Sequence, residues 1–313
     1  MRLPADSPSA ALSAEPATAQ LTPATARRAC LNCDTPLAGE FCSACGQRDI
    51  PAYPSLRELA LEALQEFSGW DGKFLATVRA LVEKPGKLTR EFLEGRRARY
   101  LSPVRFYFLA SLAFFLLAVT APAPKVVPAT TTVAGTRVEQ IGNEAHDAMV
   151  SGKGITGAER EKALKDLERA PAVIRPLLRR SLVDPQGFRR SIFDALPKML
   201  FALVPIFALL VSLFYRGLKY PEHLYFSIHL HTYIFLALCL PKIARLTHST
   251  VLASVFAALA VLSMPVYATL AFRRVYGGSL IGTLAKEVGI GTLYVVVSFI
   301  ALLVTIMILA SIG

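Results

Sequence analysis

The most prominent pattern in the sequence is a series of apolar runs after residue 103, separated by shorter polar or charged segments. A helix needs about 20 apolar residues to cross a hydrocarbon core of ~30 Å, and a soluble domain has no need for several such runs. The runs are 104–120, 199–215, 224–240, 251–272 and 289–312. The pattern predicts a mostly α fold in which residues 101–313 form a multi-pass transmembrane helical bundle of about five spans.

Two amphipathic segments precede the first run, within residues 54–100. After Ser55, apolar residues recur at helical spacing as far as Phe67. A second segment begins at Asp71 and ends at Pro85-Gly86, and its predicted apolar face consists of Phe74, Leu75, Val78, Leu81 and Val82. Both segments are too short and too charged to span a membrane. We expect cytoplasmic juxtamembrane helices that pack on each other and on the spans, or lie in the interface.

A basic collar surrounds the entry to the first run and indicates the orientation of the chain. Its candidate lipid-facing and topology-determining residues are Arg96, Arg97, Arg99 and Arg105. Because Lys and Arg concentrate on the cytoplasmic side of membrane proteins, the sequence predicts a cytoplasmic N-terminus and an extracytoplasmic C-terminus. Residues 121–198 then form an extracytoplasmic insertion.

The net charge of +11 fits the same interpretation. Basic residues that flank membrane helices meet anionic lipid headgroups, and the basic patches here lack the interleaved aromatic residues of a nucleic-acid module. We therefore expect the lipid bilayer, and no nucleic acid, as a partner. Residues 1–28 carry few large apolar residues and no apolar signal segment, so they are predicted to be a disordered tail.

Four of the five cysteines form two CxxC pairs in residues 29–48, at Cys30, Cys33, Cys42 and Cys45. This spacing is typical of a zinc ribbon with a closed, tetrahedral four-thiolate site. So short a segment has no core, so that folding requires the metal, and structural Zn²⁺ is the predicted cofactor. A redox dithiol or another metal is the alternative. Four thiolates leave no open position for catalysis, and a single ribbon of this size favours docking of a protein partner.

Ionisable residues in and beside the third apolar run are the other candidate site. Glu222 and His223 are expected near the cytoplasmic surface, whereas His229 and His231 lie deeper. His229 and His231 are about 200° apart on a regular helix, so they cannot both bind one ion. Interhelical hydrogen bonds, a proton or ion path, and a metal, haem or quinone site are the three interpretations.

Three segments, CLNC…FCSACG, GWDGKFLATVRALVEKPGKLTREFLEGRRARYLSPVRFYFLAS and YPEHLYFSIHLHTYIFL, occur in this order along the chain. Together they resemble a family of uncharacterised bacterial inner-membrane proteins, a domain of unknown function, in which a zinc ribbon precedes several spans. The resemblance implies a location in the bacterial inner membrane. It implies no activity.

Three functions follow as hypotheses. The first is a non-enzymatic membrane protein whose cytoplasmic ribbon docks or regulates a partner. The second is a small transporter or channel-like protein that uses His229 and His231. The third, an enzyme with a haem, quinone or lipid substrate, has little support, because the sequence carries no nucleotide-binding, nucleophile-elbow or zinc-protease motif. The sequence carries no sign of a particular oligomeric state.

Overall fold

The computed structural model describes residues 29–49, 73–120 and 157–312, which belong to two compact units divided after Asp49. The described residues contain helices, turns and two isolated β-bridges, with no strand, which confirms the mostly α fold. The predicted tail, the segment after Ser55 and the first part of the insertion lie outside the described residues.

Nine α-helices make up the described part of the second unit. They are α1 (Lys73–Glu83), α2 (Lys87–Leu93), α3 (Pro103–Thr120), α4 (Gly157–Asp166), α5 (Arg175–Val183), α6 (Pro185–Phe214), α7 (Tyr220–Arg245), α8 (Thr250–Tyr276) and α9 (Leu280–Ile312). The last four are long and apolar enough to cross a membrane. The apolar part of α3, Pro103–Ala118, is shorter, so the described chain has four long spanning candidates and a short fifth apolar helix.

The long helices extend beyond the apolar runs from which they were predicted. The largest difference is at α6, which begins 14 residues before the run at 199 and passes through Pro197 and Pro205. Asp184 caps its start, where the carboxylate accepts a hydrogen bond from the Gly187 N–H at 2.9 Å. Hydropathy detects only the membrane-compatible part of a helix, whereas hydrogen bonding continues the helix into the polar flank.

Helix α7 is the centre of the bundle, and α3, α6 and α8 pack around it. It buries most of its residues, including Glu222 and its three histidines, whereas α9 packs mainly on α6 and exposes much of its surface. The exposed surface of α9 is mostly aliphatic. Surface of this kind is costly in water and compatible with lipid, which supports assignment as a membrane protein.

Residues 73–102, which we call the cap, pack on one end of α7 and α8. The cap is held by polar contacts as well as by apolar ones. Tyr267 of α8 donates a hydrogen bond to the Leu81 carbonyl at 3.0 Å, and Arg274 donates one to the Pro85 carbonyl at 2.6 Å. Gly86, which follows Pro85, adopts φ +75°. A Cβ at this position would lie 2.9 Å from the carbonyl oxygen of Ala271, which lies between Tyr267 and Arg274 on α8. The turn thus approaches α8 backbone to backbone.

The buried face of α1 differs from the predicted one. Thr77, Ala80 and Leu81 are buried, while Leu75 is 74% exposed. The reason is a hydrogen bond, since the Thr77 hydroxyl accepts from the Leu101 N–H at 2.9 Å and turns this side of the helix inward. Most of the predicted apolar face is therefore left on the surface of the described unit.

Helices α4 and α5 form a small cluster of their own, built on Ala163, Leu167, Leu178 and Leu182. Glu161 and Lys165 of α4 form an i, i+4 ion pair at 3.0 Å. Arg180 of α5 donates a hydrogen bond to the Leu309 carbonyl near the end of α9. The start of α9 follows closely on the end of α8, which contacts the cap. Because α9 is about 50 Å long, α5 and the end of α9 lie at the opposite end of the bundle from the cap.

We expect Gly86→Ala to lower the free energy of unfolding by about 2 kcal/mol or more, because an L-residue at positive φ is strained and the new Cβ meets the α8 backbone. Chemical denaturation in detergent measures this loss. Gly291→Ala is the matched control, since nothing lies within 4 Å of its Cβ and alanine favours the helix. Equal stabilities for the two variants would contradict the close approach.

Candidate metal centre and buried histidines

Two similar turns build the cysteine unit. In the first, the Cys30 N–H donates to the Thr35 carbonyl and the Asp34 N–H donates to the Cys30 carbonyl, both at 2.9 Å. In the second, the Cys42 N–H donates to the Gln47 carbonyl and the Gly46 N–H donates to the Cys42 carbonyl, again at 2.9 Å. An antiparallel β-bridge closes each turn. The two CxxC pairs are therefore two copies of one local structure.

The residue after each CxxC explains the sharpness of the turn. Gly46 has φ +71° and Asp34 has φ +59°, so both adopt the left-handed conformation. Glycine adopts it without strain, and aspartate is among the few other residues that tolerate it. Asp34 stands at the position that Gly46 occupies in the second turn, and it keeps the same backbone geometry.

The two turns bring all four thiols to one point. The Sγ atoms of Cys30 and Cys45 are 3.6 Å apart, those of Cys33 and Cys42 are 3.5 Å apart, and all four lie within 4.8 Å of one another. A tetrahedral ion with metal–sulfur bonds of about 2.3 Å holds its sulfurs about 3.8 Å apart. The four side chains therefore fit a metal ion with four sulfur ligands.

The local environment differs between the thiols. The Thr35 hydroxyl, 3.3 Å from Cys33 Sγ, and the Thr35 backbone lower the pKa of Cys33 to about 6 by stabilising the thiolate. Burial raises the pKa of Cys30 to about 11. Cys33 therefore loses its proton at lower pH than Cys30. A metal ion must displace the protons that remain on the four thiols, so the affinity of the site for the metal falls as the pH is lowered.

His231 has a defined tautomer because both ring nitrogens have partners. Its Nδ1 lies 2.8 Å from the Ser227 carbonyl, which can only accept, so Nδ1 carries the proton. Its Nε2, 2.8 Å from the Tyr294 hydroxyl, then accepts from Tyr294 on α9. His231 therefore joins α7 to α9 through an interhelical hydrogen bond.

His229 lies on the other side of α7 and contacts the cap. Its Nδ1 is 3.0 Å from the Thr89 hydroxyl and its ring packs edge-on against Phe92. The residue is 2% exposed, and its Nε2 has no hydrogen-bond partner among the described residues. His229 and His231 thus have separate surroundings, as the helical spacing predicts.

Glu222 and His223, which we expect near the cytoplasmic surface, lie in the first turn of α7 and are buried within the bundle. The Glu222 carboxylate accepts from the Lys219 N–H at 2.6 Å and so caps the start of α7. His223 Nδ1 lies 2.9 Å from the Tyr276 hydroxyl. Tyr276 at the end of α8 covers His223, and the sequence of α7 alone contains no signal for that contact.

The four collar arginines have different roles. Arg97 is buried, donates to the Phe92 carbonyl at 3.5 Å and lies over the Tyr225 ring at 5.6 Å, so the expectation that it faces lipid is wrong. Arg96 pairs with Glu91 and Glu94 in the cap. Arg99 is exposed, and Arg105 lines a cavity.

Glu287 is a membrane-region carboxylate that the sequence pattern missed, because it precedes the run at 289. One carboxylate oxygen accepts from the Thr269 hydroxyl at 2.7 Å, and the other is buried without a hydrogen-bond partner in the described residues. The start of α9 at Leu280 places it inside a helix. A longer hydropathy window that tolerates one charge would have included it.

The region of the cap has a match among known families. Residues 71–115 match a family described as a protein of unknown function (DUF3667). No curated protein and no solved structure gives a significant match to the chain. The matched residues include α1, α2 and most of α3, and with them Gly86, Thr89 and Arg97.

We expect Cys33→Ser and Cys45→Ser each to lose a bound metal ion, because three thiolates cannot close the site. Elemental analysis of detergent-purified protein gives the metal content per chain. Cys239→Ser, which removes a buried thiol of α7, should keep it. Full metal content in both cluster variants would contradict the assignment, as would two disulfides in place of free thiols.

Proposed function

We propose that the chain is a non-enzymatic protein of the bacterial inner membrane, with a cytoplasmic N-terminus, whose cysteine unit binds structural Zn²⁺ and docks a protein partner. The observation that carries this proposal is the closed cluster of four thiols in a compact unit of its own. Zn²⁺ suits a site of four thiolates and needs no redox change. With four sulfur ligands the ion has no position left for substrate, so its role is to hold the unit in shape.

An exposed aromatic side chain supports docking. Phe41, next to Cys42, is 59% exposed. Exposed aromatic residues that become buried on association often provide much of the binding energy. The β-bridge between Phe41 and Arg48 holds this segment against the second turn, so the metal presents Phe41 on a rigid backbone.

Under this proposal Phe41→Ala keeps the zinc and weakens partner binding about tenfold or more, as expected for loss of an aromatic anchor. Cys42→Ser loses both the zinc and the partner. Elemental analysis and quantitative affinity measurement on the purified full chain separate the two effects.

Ser43→Ala, at an exposed position of the same turn, is the control and should change neither property. If Cys42→Ser removes the zinc while every partner stays bound with the same affinity, the cysteine unit is not the docking site.

Transport is the second candidate function, favoured by the buried Nε2 of His229, which has no hydrogen-bond partner in the described residues. An ionisable group in this position is typical of proton and ion paths. If the protein transports protons, His229→Ala with His231→Ala should abolish flux in proteoliposomes. Tyr294→Phe, which removes a partner of His231 but leaves both histidines, should retain it. Unchanged flux in the histidine variant would exclude this function.

A further inference from the structure

The contact between Glu287 of α9 and Thr269 of α8 has one hydrogen too few if Glu287 is ionised. The Thr269 hydroxyl lies 2.7 Å from one oxygen of Glu287 and 2.9 Å from the Pro265 carbonyl. A hydroxyl donates one hydrogen bond, whereas a carbonyl and an ionised carboxylate only accept. With an ionised Glu287, the Thr269 hydroxyl can therefore donate to the carboxylate or to the Pro265 carbonyl, and the other short contact has no hydrogen.

A proton on Glu287 supplies the missing hydrogen. The carboxylic acid then donates to the Thr269 oxygen, and the Thr269 hydroxyl donates to the Pro265 carbonyl, so both short contacts become hydrogen bonds. The second carboxyl oxygen, Oε1, is buried without a hydrogen-bond partner in the described residues. Burial without a partner costs less free energy for the oxygen of a neutral acid than for one that shares a negative charge.

No cation in the described part of the chain offsets a charge on Glu287. Glu287 has a single hydrogen bond there, to Thr269, and no ion pair. The neighbouring Lys286 instead places its Nζ 4.3 Å from the centre of the Tyr215 ring, beside the end of α6. The other charged or titratable side chains within seven residues of the contact on α8 and α9 are Tyr267, Arg273, Arg274, Tyr276 and Tyr294.

The surroundings of the contact on α9 are apolar. Leu284 and Val288 lie close to Glu287 in sequence and are 44% and 69% exposed, as part of the mostly aliphatic surface of this helix. Glu287 lies seven residues after the start of α9, and Thr269 lies seven residues before the end of α8, which corresponds to about 10 Å along each helix. An ionised group inside a membrane-spanning helix is costly without an opposite charge or water, and a neutral acid avoids that cost.

We propose that Glu287 is a proton-binding site between α8 and α9, where it is a neutral carboxylic acid at neutral pH and donates a hydrogen bond to Thr269. Release of the proton would leave one of the two short contacts without a hydrogen, so the contact between the two helices depends on the proton. A monovalent metal ion at the carboxylate would not supply the hydrogen that the second contact needs. The proposal is independent of the cysteine unit and of His229.

Infrared spectroscopy of the detergent-purified full chain tests the proposal. At neutral pH we expect the C=O stretching band of a protonated carboxyl group in the wild type and its loss in Glu287→Gln. Thr269→Val should keep the band and move it to higher frequency, because the acid loses its hydrogen-bond acceptor. Glu161→Gln is the matched control and should leave the band unchanged, since Glu161 is an exposed carboxylate paired with Lys165.

Labelling with dicyclohexylcarbodiimide, an apolar reagent for protonated carboxyl groups, provides a second measurement. The acid proton moves to a nitrogen of the reagent while the carboxyl oxygen bonds to its central carbon, and the product rearranges to a stable N-acylurea that keeps every atom of both reactants. Peptide mass spectrometry should locate this adduct on Glu287. Glu222 is the internal control and should stay unmodified, because its carboxylate meets a backbone N–H, which can only donate.

Four results would overturn the proposal. The first is a wild type without the infrared band at neutral pH, and the second is a band that persists in Glu287→Gln. The third is failure of the carbodiimide to label Glu287. The fourth is protection of Glu287 from the reagent by sodium chloride but not by choline chloride, since a metal cation would then be the ligand of the carboxylate. An unchanged band frequency in Thr269→Val would exclude Thr269 as the acceptor and overturn the proposed contact.

Discussion

The backbone contact between the turn at Gly86 and helix α8 is the constraint on which the arrangement of the cap depends. A side chain at Gly86 would separate the two backbones, and the hydrogen bonds from Tyr267 and Arg274 to carbonyls of the turn would then be lost. These bonds use peptide oxygens at the end of α1 that have no partner within the helix. Because residue 86 is glycine, the Leu81 and Pro85 carbonyls of the cap can accept hydrogen bonds from side chains of α8.

The same contact places the rest of the cap over polar residues of α7. With the turn fixed, α2 directs Thr89 and Phe92 at His229, and the chain beyond it buries Arg97 over Tyr225. Buried polar groups are costly unless they are hydrogen-bonded or paired, and the cap supplies one such partner, the Thr89 hydroxyl beside His229 Nδ1. The family match at residues 71–115 covers this segment. In this chain Gly86, Thr89 and Arg97 pack the segment against one end of the bundle.

The two units differ in how much apolar core their described residues contain. In residues 29–49 the only buried apolar side chains are those of Cys30 and Cys42, so four sulfur ligands to one ion could replace the burial that holds larger domains together. The helical unit has a core around α7, yet leaves much of α9 exposed. Lipid removes the cost of that exposure.

The sequence by itself determined the helical class, the apolar segments, the clustering of four cysteines and the separation of His229 from His231. Each follows from a short-range rule: helix periodicity, the length needed to cross a bilayer, or the spacing of two CxxC pairs. Helix ends were less predictable, as the early start of α6 shows, because hydropathy does not report hydrogen bonding.

Tertiary structure alone decided which polar residues are buried. The sequence does not indicate that Arg97, Glu222 and His223 are buried, because the residues that pack against them lie elsewhere in the chain. The buried face of α1 likewise includes Thr77, whose hydroxyl accepts a hydrogen bond from the Leu101 N–H. Such contacts join residues that are not related by helical spacing, so hydrophobic periodicity along the sequence does not predict them.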